Sequence, residues 1–473
     1  MVEDQLKFEQ YEKYVDKIQK KYHVPGIAVA LNKKGENIYQ KGIGFRNIDK
    51  GLEVTKDTIF GIASVTKSFT CMGIMQLQEK EKLSVHDQVV KYLPEFQLPD
   101  EPHLTDQVTI HHFMTHTSGL PPLSSISFAL MRTMDKDPSA DDYPGLKLND
   151  KEGLAIDTFE QLMQFIGETN VTLLGKPGEE FSYSNDCYAL LGAIIERVSD
   201  QTYESFISEN ILQPAGMKNS TFYLEEVKKS SDVTEQYSVK TVDGKEEVYA
   251  APVWWDARAM RGAGFLRSTM GDMLKYAEIF INDGVIDGNQ ILSSKSIEEM
   301  MKPYVKIDQT KYYGYGLMIT PDFHGVKLVE HGGSLKAISS QLSMIPEKGL
   351  GGIVLTNLVG VPAFQIMNGA MNLALGLSVD TPYAYYPDYT CSKEIFTQYV
   401  GEYASEEGAN IQISVEDDQL VFIQENKVFP LRAVGKHRFT VKLKEAETPI
   451  RFVFNEKGSV RALAMGVRQI PKK

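Results

Sequence analysis

A change of hydrophobic period near residue 380 is the strongest constraint this sequence places on its fold. Before it, apolar residues recur mostly at three- and four-residue steps, broken by short apolar runs. From residue 396 onward they alternate: Ile411, Ile413 and Val415, then Phe439, Val441 and Leu443, then Phe452 and Phe454. A period of 3.6 buries one face of a helix and a period of two buries one face of a strand, so the two halves require different cores. The 378–389 stretch between them is rich in Pro and Tyr and reads as a linker. At 473 residues the chain also exceeds one ordinary compact domain. The division drawn here is a first domain over 1–377, a linker over 378–391 and a C-terminal β domain over 392–473.

In the first unit, residues 6–21 read as a helix on the spacing of Phe8, Tyr11, Val15 and Ile18. Residues 26–31 and 37–44 read as a hairpin, and 64–81 as a helix carrying Val65, Phe69 and Met72 inward. Further helices are expected at 110–115, 126–134, 158–168, 186–199 and 362–376. Strands are expected at 339–345 and 351–356, joined by Pro346-Glu347-Lys348-Gly349, and a hairpin over 234–249 turns at Asp243-Gly244. This order predicts an α+β fold: an antiparallel sheet drawn from both ends of the unit, flanked by helices, with an all-helical lobe between. The long Pro-, Asp- and Ser-rich stretch 121–157 reads as a lid or cleft wall. The second unit reads as a small antiparallel β-barrel or meander with turns at 416–419, 425–427 and 456–458.

Composition narrows the function classes. A formal charge of −13 argues against a broad grip on nucleic acid or anionic membrane. Cys71, Cys187 and Cys391 are odd in number and widely spaced, which is neither a disulfide framework nor a zinc pattern. His112 and His116 sit four apart without a third ligand at useful spacing, so no metal is expected. Residues 1–22 hold no apolar leader, and no run is long enough to insert in a membrane. As written, the chain is expected to be soluble and cytoplasmic; a removed export signal would leave the same sequence.

Three elements carry chemistry. Ser64-Val65-Thr66-Lys67 places a hydroxyl and an amine on one helical face, where a desolvated lysine activates a serine. Tyr183-Ser184-Asn185 follows a Pro-Gly turn and offers a phenol for proton transfer and an amide to orient the lysine. His331-Gly332-Gly333-Ser334, at the expected entrance to a strand pair, lets substrate approach a sheet edge and supplies an N–H to a developing oxyanion. Arg258 and Arg261 offer guanidinium groups to a substrate carboxylate or to a surface salt bridge, and Trp254 and Trp255 offer a cleft wall or a place in the core.

In this order the three elements resemble the serine β-lactamase-like, penicillin-recognising family, most closely its class-C-like esterases and D-peptidases. Leu83-Ser84-Val85-His86-Asp87, Thr115-His116-Thr117-Ser118-Gly119-Leu120, Pro214-Ala215-Gly216-Met217 and Gly262-Ala263-Gly264-Phe265 extend the resemblance over roughly residues 10–375. The C-terminal segment is similar to the lipocalin-like module that follows this domain in some members. The resemblance implies Ser64 as the acylated nucleophile, with Lys67 and Tyr183 handling its proton and Asn185 supporting Lys67. It also implies an oxyanion hole from the Ser64 and Ser334 backbone N–H groups; Gly333, Arg261 and Trp255 are expected at the substrate site on residue type alone. His331 stands where the family's K-T-G motif has lysine, which removes a permanent cation and favours esterase or peptidase chemistry over penicillinase activity. No cofactor is implied. The expected partner is a small-molecule or short-peptide substrate, against the alternatives of a sensing protein that binds with little turnover, an acyltransferase or a weak β-lactamase. For the β domain, covering the cleft, homo-oligomerisation and ligand capture all stay open.

Overall fold

The apolar run 26–31 has no polar side, and strand β1 (Gly26–Lys33) is accordingly buried on both faces at the heart of a sheet. A computed structural model describes residues 2–143, 146, 155–443 and 446–473. Its main sheet adds β2 (Glu36–Asn47), β3 (Leu52–Glu53), β4 (Val305–Lys306), β5 (Tyr312–Tyr313), β6 (Met318–Phe323), β7 (Val326–Leu335), β8 (Ile338–Ile345) and β9 (Leu350–Thr356). All neighbours are antiparallel, in the spatial order β4-β5-β6-β7-β8-β9-β1-β2-β3, so both ends of the domain meet where β9 pairs with β1.

The helices that matter for the site are α1 (Val2–Lys21), α2 (Thr66–Glu79), α3 (Ile110–Met114), α4 (Asn185–Ser199), α5 (Met270–Ile281) and α6 (Ala363–Ala374). Ile27, Val29 and Leu31 face one core with Tyr11 and Val15 of α1 and Ile366 of α6. The Tyr11 hydroxyl donates to the Ile366 carbonyl at 2.9 Å and locks the two helices together. Ala28 and Ala30 face the other core, where small side chains let α5 lie close to the strand. Helix α2 is buried from Thr66 to Leu77 and forms the axis of the helical lobe, with α4 packed across it. A helix buried on every side fits only the middle of a lobe, and its polar residues Lys67, Ser68 and Thr70 are buried with it.

Two expectations change. Residues 64–81 do not form one helix: Ala63–Val65 make a separate 3₁₀ turn and α2 begins at Thr66. Ala63 sits at φ 45°, a left-handed conformation that a continuous helix does not admit. The His331–Ser334 motif lies inside β7 rather than at a strand entrance, and β4 to β7 extend the sheet on that side. Two-residue edge strands and a glycine pair give no alternation to read. Most of the expected 121–157 wall is described: a helix spans Ser125–Met134, while residues 144, 145 and 147–154 lie outside the described set.

The C-terminal unit is a meander of eight strands. They are β10 (Gly401–Ala404), β11 (Asn410–Glu416), β12 (Gln419–Gln424), β13 (Lys427–Gly435), β14 (Arg438–Leu443), β15 (Ala446–Phe454), β16 (Val460–Met465) and β17 (Arg468–Pro471). The alternating residues point inward as one core around Tyr399, Phe422, Phe439 and Phe452. A bridge from Tyr403 to Lys472, with Lys473 N–H donating to the Glu402 carbonyl at 2.8 Å, nearly closes the barrel. The Pro/Tyr-rich stretch is fastened to the first domain: the Tyr383 hydroxyl donates to Glu330 at 2.7 Å and its ring lies 4.2 Å from the Lys311 ammonium.

Candidate active site

Ser64 occupies the middle of the 3₁₀ turn between the sheet and α2, half-buried, while its neighbours Ala63 and Val65 are buried. A non-glycine residue held at positive φ costs about 1 kcal/mol or more, and such strain persists only where surroundings enforce it. Here the Ile62 N–H donates to the Leu266 carbonyl at 3.0 Å and the Ile62 carbonyl accepts from Ser340 Oγ of β8 at 2.8 Å. Gly333 of β7 lies against the same turn, and a Cβ there would stand 3.1 Å from the Ser64 nitrogen. β6 stops pairing with β7 at Glu330, which leaves the β7 edge beyond it facing the turn rather than another strand.

Lys67 lies one helical turn from Ser64 and is fully buried. Its Nζ is 3.3 Å from Ser64 Oγ, 2.8 Å from Asn185 Oδ1 and 2.7 Å from the Ala263 carbonyl. Burial drives the ammonium well below the ordinary lysine range, and the charge of Arg468 adds to the effect. Asn185 is the first residue of α4, whose N-cap Ser184 accepts from the Cys187 N–H at 3.1 Å. Asp186 beside it is buried, accepts from the Ser125 hydroxyl, and is pushed up to about 6 by its desolvation.

The Tyr183 phenol is near enough to Ser64 for the hydroxyl to offset part of its burial, and its ring lies 4.6 Å from Lys67 Nζ. Burial pushes the phenol above its ordinary range, partly offset by the Ser64 contact and by Arg468. An alcohol, an amine and a phenol thus meet at one point, as the motif order implies. The amide of Asn185 joins them through Lys67.

His331 stands elsewhere in the scheme than the motif suggested. It is fully buried, with Nδ1 2.6 Å from the Gly332 carbonyl and Nε2 3.0 Å from the Tyr313 hydroxyl. Nδ1–H therefore donates to the carbonyl, and Nε2 accepts from the phenol. Burial lowers its pKa to about 3, so it is a neutral residue behind Tyr183, with ring centroids 6.1 Å apart, and offers no cation. Ser334 is exposed on β7.

Two expected substrate contacts are already committed to the protein. Arg261 pairs with Glu204 and Asp256, both at 2.6 Å, because the 3₁₀ turn Arg258–Ala263 carries it inward to a buried and a half-buried acid. Trp255 is buried and donates from Nε1 to Asp137 at 2.7 Å. Its neighbour Trp254 is the less buried of the two.

Three further side chains, His116, Tyr313 and Arg468, reach the site. His116 turns out of α3 at φ 57°, so it does not share a helix with His112. Its Nδ1 accepts from the Ser184 N–H at 3.0 Å, and its ring packs 4.3 Å from that of Tyr183. Tyr313 reaches the site from β5, in a strand too short to recognise. Arg468 comes from the other domain, its guanidinium 4.4 Å from the Tyr183 ring centroid. The Thr115–Leu120 motif carried a signal for His116; nothing local signals Arg468. Among the described residues, no group of His, Cys, Asp and Glu is arranged to hold a metal, and no helix is long and apolar enough to cross a membrane.

The sequence pattern of the Beta-lactamase family matches residues 11–376. The chain belongs to that family. Members of the Beta-lactamase family are serine hydrolases that work without a metal. Residues 389–470 match a domain of unknown function, DUF3471. The chain is 25% identical over 402 residues to penicillin-binding protein 4* of Bacillus subtilis (strain 168), covering 82% of this chain and 81% of that one. It is 28% identical over 358 residues to Protein flp of Staphylococcus aureus (strain MW2), covering 74% of this chain and 63% of that protein, which is thus matched over less than two thirds of its length. An octameric penicillin-binding protein homologue from Pyrococcus abyssi superposes with a TM-score of 0.70 at 30% identity, covering 98% of this chain and 100% of that one.

Proposed function

We propose that this Beta-lactamase family member acts through an acyl-enzyme on small esters, amides or D-amino-acid-containing peptides. The observation that carries the reading is the coordination of Lys67 Nζ. Two of its three partners, the Ala263 carbonyl and Asn185 Oδ1, only accept hydrogen bonds. A neutral amine satisfies both with its two hydrogens and turns its lone pair to the Ser64 hydroxyl. Burial favours that neutral form, so Lys67 is the ready base. Ser64 Oγ then attacks the substrate carbonyl while its proton passes to Lys67.

The oxyanion is held by the Ser64 and Ser334 N–H groups. Collapse expels the leaving group, which takes a proton relayed from Lys67 through Tyr183. Water repeats the sequence to release the acid. A neutral His331 in place of the K-T-G lysine argues against strong recognition of a β-lactam carboxylate.

Turnover of a nitrophenyl ester of a short acid by wild type and Ser64→Ala tests this reading. We expect a loss of at least about a hundredfold, the order that follows removal of a nucleophile. Equal rates would remove Ser64 from the mechanism.

A further inference from the structure

The hairpin joining the last two barrel strands reaches the catalytic loop of the other domain. It turns at Gly466, φ 55°, and its Val467 carbonyl accepts the Tyr183 N–H at 2.9 Å. Gln469 Nε2 donates to Glu180 Oε2 at 2.7 Å and to the Phe181 carbonyl at 3.1 Å. Arg451 and Arg461 pair with the same Glu180 at 3.4 and 3.2 Å. The backbone that presents Tyr183 is therefore held by the β domain along residues 180–183.

Between these anchors, Arg468 lies over the Tyr183 ring. Its Nε and Nη2 donate to Glu407 at 2.6 and 3.1 Å, a fork-to-fork pair that fixes the guanidinium plane. Its Nη1 is buried and has no hydrogen-bond partner among the described residues. An idle buried donor is costly unless a substrate oxygen or a developing phenolate uses it. The lysine absent at position 331 would have brought a permanent positive charge; Arg468 brings one from the other domain.

We propose that the C-terminal β domain is an integral part of the catalytic site, with Arg468 as its fixed cation and Glu407 setting how strongly Tyr183 and Lys67 feel it. Arg468 is a positioning residue in this scheme, acting on the groups that move the proton. The inference rests on the serine-hydrolase reading of the site. The other groups facing Tyr183 are Ser64 and Lys67, neutral His116 and His331, and Tyr313. Lys67 in turn faces Asp186, Tyr188 and Cys71. Among all of these, Arg468 is the charge that lowers both Lys67 and Tyr183, and Glu407 opposes it at both. Lowering both favours a free amine and an ionisable phenol at the same pH, which is what proton transfer from Ser64 requires.

The test follows the rate at which a fluorophosphonate labels Ser64 in the full chain, from about pH 6 to about pH 10, where the base ionises. Arg468→Gln should move the rising limb upward by about one pH unit, roughly a tenfold loss at neutral pH that recovers in alkali. Glu407→Gln should move it downward, and Arg468→Lys should restore much of the wild-type profile. The double variant should return towards wild type. Melting temperature is recorded for each variant, because a purely structural pair would scale the rate at every pH and leave the limb in place. Unmoved limbs, or shifts of the same sign in Arg468→Gln and Glu407→Gln, overturn the proposal while leaving the hydrolase reading intact. Wild-type protein that takes no label at any pH sinks the hydrolase reading, and this inference with it.

Discussion

Gly333→Ala is a severe perturbation for the addition of one carbon. The new Cβ would stand 2.3 Å from the Ile62 carbonyl oxygen and 2.4 Å from Ser340 Oγ. Those two atoms are hydrogen-bonded to each other at 2.8 Å, and that bond ties the nucleophile turn to β8. The methyl lies about 1 Å inside ordinary contact with both, so neither can yield without breaking the bond or moving the turn. Overpacking of this kind destabilises by about 1–3 kcal/mol. A displacement of about 1 Å at the reacting atom costs on the order of a hundredfold in rate. Gly332→Ala is the matched control: its nearest neighbour is Gln341 Oε1 at 3.0 Å, the end of a side chain. We expect kcat/KM for the ester to fall by about a hundredfold in Gly333→Ala and by no more than about threefold in Gly332→Ala. Equal activity in the two variants would show that close approach of β7 does not position Ser64.

Lys67→Met should slow acylation by at least about a hundredfold, seen as loss of the nitrophenolate burst; an intact burst would transfer the base role to Tyr183. The buried Asp186 gives a pH signature in stability. Its folded-state pKa of about 6 lies above the ordinary aspartate range, so its contribution is full below that range and is lost as pH rises through 6. Across about two pH units, at about 1.4 kcal/mol each, Asp186→Asn should gain up to about 3 kcal/mol on wild type between acid and neutral pH. Denaturant melts at both ends of the range measure it, and a constant difference would show that Asp186 does not titrate as its burial demands.

The α+β core and the β-barrel were legible because burial leaves a repeating pattern. Ile27, Val29 and Leu31 face one core and Ala28 and Ala30 the other, so the run 26–31 had to be a two-faced central strand. Phe439 and Val441 point inward from a barrel that nearly closes through Tyr403 and Lys472. Strands β4 to β6 escaped because short edge strands and polar alternation carry little signal. Ser64, Lys67, Tyr183 and Asn185 were legible as motifs whose spacing survives folding. Arg261 and Trp255 were plausible from residue type alone, yet acidic side chains of the protein claim both.

What the chain determined by itself was its periodicity and its local motifs: two kinds of core, and a hydroxyl placed one helical turn from an amine. What only tertiary structure decided was the electrical state of the site. Desolvation of Lys67 and neutralisation of His331 arise from burial, and Arg468 acts on Tyr183 across 285 positions of sequence. Charge acts through space and burial is a property of the whole assembly of elements, so neither is written in the spacing of residues along the chain.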